Sequence, residues 1–307
     1  MRCDGKPRVA AGAVLMIASA LFFSAMQIAV RLSGAGGDIP LMEQVFFRNL
    51  FSLIVVLPVL LRRRIPPFGS RRDQPLLFGR SIAGFLGIVT YFYATNHARV
   101  ADASILNRLS PVVVTLLSAA FLHEKIGIVQ LLSLAVSFLG TWIVCGPAMD
   151  SAFLPIVSAL LSALFSGTAY TFVSALRTRT DPFVVIMHFS AFSVVTAFVC
   201  MLPDFVMPNG GQLIALLLIG CFGSLGQICL TYAYRFAPAA EVSIYNYFGI
   251  IWAALLGYAF LGESVGTATA VGGALIIAAS LINFLHAKRG EKKALAGMNS
   301  AEGKELL

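Results

Sequence analysis

Arg108 has the most chemistry to offer in this sequence, standing in an apolar stretch with Ser104, Asn107, Pro111 and Thr115. Counted from Ser104, these residues follow at 3, 4, 7 and 11, spacings that share one face of a helix. A guanidinium presents a planar fork of donors that matches a carboxylate or a phosphate. In hydrocarbon an arginine costs about 2.5–3.5 kcal/mol on insertion scales. Arg108 therefore needs water, a carboxylate partner such as Asp102, or an anionic group on a bound solute. A second stripe, Ser243, Asn246 and Tyr247, continues through Ile250 and Ala254. Two polar stripes cannot face lipid, where unsatisfied groups are expensive, so they face neighbouring helices or a wet cavity. The candidate binding residues are accordingly Ser104, Asn107, Arg108, Ser243, Asn246 and Tyr247, joined by Gln27, Tyr91 and Gln227 on other apolar segments.

A further set of charged residues suits structural or coupling roles. Arg48 stands one turn from Gln44 and is available to pair with Glu43 or with another helix. Arg80, near one end of its segment, is explained by snorkelling to the interface. Asp102 and Glu241 begin their helices, where a negative charge complements the helix dipole, and either could carry a proton. Glu124 and Glu263 close the same two helices and suit anchoring or capping. Tyr93, Phe92, Tyr232, Tyr234 and Tyr245 divide between cavity walls and interfacial anchors. Ser158, Ser162, Ser166 and Tyr170 form a small-residue face more typical of close packing.

The elements that carry these residues are membrane helices. Of 307 residues, 58% are hydrophobic and only 12% charged, and the mean hydropathy is +0.86. A soluble domain carries about 25% charged residues to cover its surface. Spanning a bilayer takes roughly 20 apolar residues. Ten such segments can be drawn, at 11–32, 39–61, 75–97, 101–122, 127–145, 152–176, 182–203, 212–236, 239–261 and 267–286. Continuous apolar runs such as Phe51–Leu57 exclude the alternation of an outer-membrane barrel. The net charge of +8 is concentrated in alternate loops: Arg62–Arg72, Lys125, Arg177 and Arg179, Arg235, and Lys288–Lys293. Because Lys and Arg are retained on the cytoplasmic side, this pattern expects both termini in the cytoplasm and an even number of spans. The basic excess is an orientation signal and does not point to nucleic acid. The first segment is long for a signal peptide and is read as a retained helix.

Sliding the chain against itself by 139 residues aligns Gly84 with Gly223, Gly87 with Gly226 and Tyr93 with Tyr232. The same offset aligns Ser104 with Ser243, Asn107 with Asn246, and Glu124 with Glu263. A duplicated five-helix unit explains this, and an odd number of helices inverts the second copy. The expected units are 1–146 and 147–287, followed by a polar cytoplasmic tail at 288–307. Inverted repeats of this kind typify secondary transporters with a site near the midplane. Ala101–Glu124, with Asn107, Ser110-Pro111 and His123-Glu124, resembles the EamA unit of the drug/metabolite transporter superfamily. So do Ala240–Glu263 and the stretch Glu43–Arg48, and the likeness spans roughly residues 10–287. The resemblance implies an all-α membrane protein of ten helices around a central cavity, lined mainly by helices 1, 3, 4, 6, 8 and 9. Its members move amino acids, nucleotide-like metabolites, vitamins and drugs. Ile250 stands where the first repeat has Pro111, which departs from the pattern.

The function expected is movement of a small polar metabolite, an amino acid or related carboxylate or nucleotide-like solute, across a bacterial-type inner membrane by alternating access. Uptake of S-adenosylmethionine or a riboflavin-type solute is the alternative within this class, and a channel or structural subunit the alternative outside it. His97, His123, His188 and His286 are dispersed, no phosphate loop is present, and five scattered cysteines show no metal spacing. An enzyme is therefore not expected, nor a cofactor. The expected partners are the solute and the lipid bilayer, with the chain a monomer or a homodimer.

Overall fold

The computed structural model describes residues 8–33, 39–97, 106–124, 126–145, 153–261, 266–268 and 270–286. Ser104, Asp102 and Glu263 lie outside these residues, as does the polar tail. The described chain is helical and contains no strand. Its helices are α1 (Val9–Ser33), α2 (Leu41–Arg62), α3 (Gln74–His97), α4 (Ser110–Leu122) and α5 (Ile128–Cys145). They continue as α6 (Phe153–Leu176), α7 (Pro182–Met201), α8 (Gly210–Phe236), α9 (Phe248–Leu261) and α10 (Ala270–His286). Among the described residues, seven helical segments are long and apolar enough to cross a membrane, and the apolar helices at α4, α5 and α10 are shorter. In each of the seven, only 39–50% of the most apolar window is buried in the protein, so the remainder presents apolar surface outward. Phe121, Phe153 and Val195 are 72%, 81% and 65% exposed, as lipid-facing side chains should be.

Local sequence fixes several helix ends. Asp181 accepts a hydrogen bond from the Phe183 N–H at 2.9 Å, and Pro182 follows at the first helical position. Asn209 and Gln212 satisfy each other's backbone N–H groups at 2.9 Å, a complete capping box for α8. α4 stops at His123, whose φ of 54° is left-handed and turns its N–H back to the Ser118 carbonyl.

The interior is held by small and polar residues, because lipid supplies no hydrophobic force between helices. Ser19 donates to the Gly226 carbonyl at 2.8 Å, and the Ser52 and Ser224 hydroxyls meet at 2.6 Å. A Cβ on Gly140 of α5 would stand 2.7 Å from the Gly272 carbonyl, so α5 and α10 cross with their backbones in contact. α1 packs on α8 and α9, α6 packs on α3 and α4, and α2 packs on α7 and α8.

Two expected helices differ in a way that matters. Residues 101–122 and 239–261 read as continuous spans, yet the first is interrupted at Arg108–Leu109, just before α4 begins at Ser110. Leu106 and Asn107 are helical, and Arg108–Leu109 then form a turn, with the Leu109 N–H on the Leu106 carbonyl at 3.1 Å. α9 is likewise entered through a short helical turn, Ala239–Val242, and a 3-10 segment, Ser243–Tyr247. Proline is not the common cause, since Pro111 is matched by Ile250. What the two irregular segments share is each other: Arg108 of one donates to the Asn246 carbonyl of the other at 3.0 Å. Irregular backbone at this depth is tolerated where it is buried in protein or lines a cavity.

Candidate functional site

A cavity of about 100 Å³ lies where these two segments meet α1, α2, α3 and α6. α1 contributes Ala20, Phe23, Met26 and Gln27, and α3 contributes Gly87, Ile88, Tyr91 and Phe92. Asn107 and Arg108 enter from the turn before α4, Asn246 from the 3-10 segment, Ser166 and Tyr170 from α6, and Arg48 from α2. None of the described residues in this lining is acidic.

Arg108, Asn107 and Gln27 are each positioned by a neighbour. The Arg108 guanidinium reaches the Asn246 carbonyl and lies against Gly249, where a Cβ would stand 2.7, 2.9 and 3.1 Å from Nη2, Nη1 and Cζ. Only a glycine leaves that space open. Asn107 donates to the Ser162 hydroxyl at 2.8 Å. Gln27 donates to the Tyr91 hydroxyl at 3.1 Å. Among the described residues a single carbonyl occupies one of the five donors of Arg108, leaving a fork able to take a carboxylate or phosphate oxygen pair.

Five sequence candidates are therefore brought together: Gln27, Tyr91, Asn107, Arg108 and Asn246. Three are not. Gln227 is buried on α8 and bonds the Thr231 hydroxyl at 3.3 Å. α8 packs through Gly220, Gly223 and Gly226 against α2 and α1, so its polar face meets those helices and misses the cavity. Ser243 bonds the Thr115 hydroxyl at 3.3 Å. Tyr247 is 0% exposed and follows Asn246 by one residue, which in a 3-10 helix turns it about 120° away. α8 is replaced by α2 in the lining.

The arginines also depart from expectation. Arg48 does not pair with Glu43, because five residues along a helix point to different faces. It is 4% exposed, donates to Asn49 Oδ1 at 3.2 Å, and faces the Phe189 ring at 5.9 Å. Glu43 is fully buried and accepts from the Val206 N–H at 3.4 Å. Arg80 does not snorkel: it is 2% exposed, with its guanidinium 4.1 Å from the same Phe189 ring. Gly84, one turn further, has no Cβ to stop that side chain from lying along α3. Glu124 joins the end of α4 to the end of α6 through Arg177 at 3.7 Å and the Ser174 hydroxyl at 3.4 Å. Glu241 is half-buried, and its carbonyl accepts from Asn283 at 3.2 Å. Ser166 and Tyr170 read as a packing face in the sequence. Their four-residue spacing, shared with Ser162, was the available sign that α6 also presents polar groups to a site.

Similarity to known proteins agrees with this architecture. The EamA-like transporter family matches residues 10–146 and 153–285. A pseudopaline exporter of Pseudomonas aeruginosa is 35% identical over 272 residues, covering 88% of this chain and 94% of the relative. A riboflavin transporter of Rhizobium johnstonii is 25% identical over 291 residues, covering 93% of this chain and 95% of the relative. One solved crystal structure superimposes with a TM-score of 0.79 at 16% identity, covering 91% of this chain and 98% of the other, a likeness of fold alone. The protein belongs to the EamA-like transporter family and is a multi-pass membrane transporter.

Proposed function

We propose that the protein is a ten-span secondary transporter that moves a small polar metabolite bearing an anionic group by alternating access. Its place is a bacterial-type inner membrane, with both termini in the cytoplasm. One observation carries the reading. The cavity has a guanidinium, Arg108, anchored to a carbonyl from the opposite half of the chain, and no acid among the described residues of its lining. An arginine so placed is balanced by the charge of what it binds. Arg108, Asn107 and Asn246 would orient the solute, while Gln27 and Tyr91 would close its far side.

The helix pairings support two inverted units, residues 1–146 and 147–287. Under the 139-residue offset, α1 on α8 corresponds to α6 on α3. Likewise α1 on α9 corresponds to α6 on α4, and α2 on α8 to α7 on α3. Two equivalent halves give two conformations of similar energy, which a solute site between them can exchange. The similarity to a pseudopaline exporter makes export the direction to test first. A riboflavin-type solute is the second reading, supported by the riboflavin transporter similarity and by the aromatic walls Phe23, Tyr91, Phe92 and Tyr170.

Purified protein screened against metabolites by thermal shift should be stabilised by its solute. In liposomes that solute should show saturable counterflow, and Arg108→Ala should weaken half-saturation by roughly 10–150-fold, the loss of about 1.5–3 kcal/mol from one charged hydrogen bond. Non-saturable flux without counterflow would make the protein a channel, and unchanged affinity in the alanine variant would remove Arg108 from the site.

A further inference from the structure

Arg80 is not among the described residues lining the cavity, yet it is only 2% exposed. Among the described residues its Nε and Nη1 have no hydrogen-bond partner, and neither does Nε of Arg48, a cavity residue. The two guanidinium groups share one aromatic surface, Phe189, with Cζ of Arg80 4.1 Å and Cζ of Arg48 5.9 Å from its centroid. Among the described residues no carboxylate lies within ion-pair distance of either arginine. A ring face attracts a cation but carries no net charge, so two guanidiniums taken out of water remain uncompensated.

The direction of Arg80 adds to this. The side chain extends along α3 over Gly84, where a Cβ would overlap Nη1, and so points one turn toward Gly87 in the cavity wall. On α8, Gly223 holds the same place in the duplicated pattern, and a Cβ there would crowd Cγ and Nε of Arg48 at 3.0 and 3.2 Å. Two equivalent glycines thus make room for two arginines that approach Phe189 from different helices. A merely structural arginine needs partners for its donors, yet among the described residues Arg48 has one, Asn49, and Nε and Nη1 of Arg80 have none.

We infer that Arg48 and Arg80 form a second anion station adjoining the cavity, so that the solute carries at least two anionic groups, one for Arg108 and one for this pair. The inference rests on the transport site proposed above and narrows its solute to a dianion, such as a dicarboxylate. Arg48, already exposed to the cavity, receives the second group, and Arg80 adds its unused donors from behind.

The test uses the full chain purified in detergent, with half-saturating concentrations read from thermal stabilisation. The probes are malonate through adipate and the monocarboxylates of equal carbon number. The wild type should favour dicarboxylates by about tenfold or more, with an optimum chain length. Arg80→Gln should bring the two classes to within about twofold, the larger loss falling on the dicarboxylates, while Arg80→Lys should keep part of the preference. Gly84→Ala, whose methyl displaces the guanidinium, should act in the same direction as Arg80→Gln. No dicarboxylate preference in the wild type, or a preference that survives both Arg80→Gln and Gly84→Ala, overturns the station. Arg108→Gln should weaken both classes together; if it changes neither, the transport site itself has been misplaced, a different failure from loss of the second station.

Discussion

Gly249→Ala should separate the stability of the protein from its transport, moving the two in opposite directions. Gly249 lies in α9 without a left-handed φ, so alanine fits its backbone and gains up to about 1 kcal/mol of helix propensity. The new methyl would stand 2.7 Å from Nη2 and 2.9 Å from Nη1 of Arg108. Ordinary contact requires the guanidinium to retreat by roughly 0.5–1 Å. The Arg108 bond to the Asn246 carbonyl is 3.0 Å long, so that retreat carries it past hydrogen-bonding distance. Arg108 is the far end of a flexible side chain, and the Asn246 carbonyl keeps the Phe248 N–H as a donor, so no buried group is orphaned. The fold should therefore survive, with a melting temperature equal to or above that of the wild type. Solute affinity should fall, since a charged hydrogen bond contributes about 1.5–3 kcal/mol, or roughly 10–150-fold when its donor is misplaced. Thermal melting and liposome counterflow on one preparation measure both quantities. Unchanged counterflow in a stable variant would refute the claim that Arg108 is held in place for the solute.

The basic loops make a prediction about sidedness. Cysteines placed between Arg62 and Arg72 should react with an impermeant reagent only from the cytoplasmic face; labelling in intact cells would reverse the topology. Alternating access makes another, because Asn107 and Asn246 reach the cavity from opposite halves. In otherwise cysteine-free protein, single cysteines at these two sites should change alkylation rate in opposite senses when a solute traps one state. Rates that rise and fall together would contradict alternating access around this pair.

The membrane class and the positions of the apolar helices were legible in the sequence, because hydrocarbon imposes length and apolarity one segment at a time. The polar stripe of Asn107 and Arg108 was legible for the same reason: few polar residues survive in such segments, so each one present is informative. The sequence also placed Asn246 opposite that stripe through the 139-residue offset. It could not say which neighbour each helix face would meet. Helical spacing fixes faces within one helix but not the rotation of that helix in the bundle, which close packing sets. Gln227 was lost from the site because three glycines draw α8 onto α1 and α2. Tyr247 was lost because, one residue beyond Asn246, its side chain turns to another face of the 3-10 segment and is fully buried there. Arg80 turned inward because Gly84 and Phe189, over one hundred residues apart in the chain, leave a berth for its guanidinium. Such a berth exists only once distant segments are packed together, so tertiary structure alone decided that Arg80 turns into the protein interior.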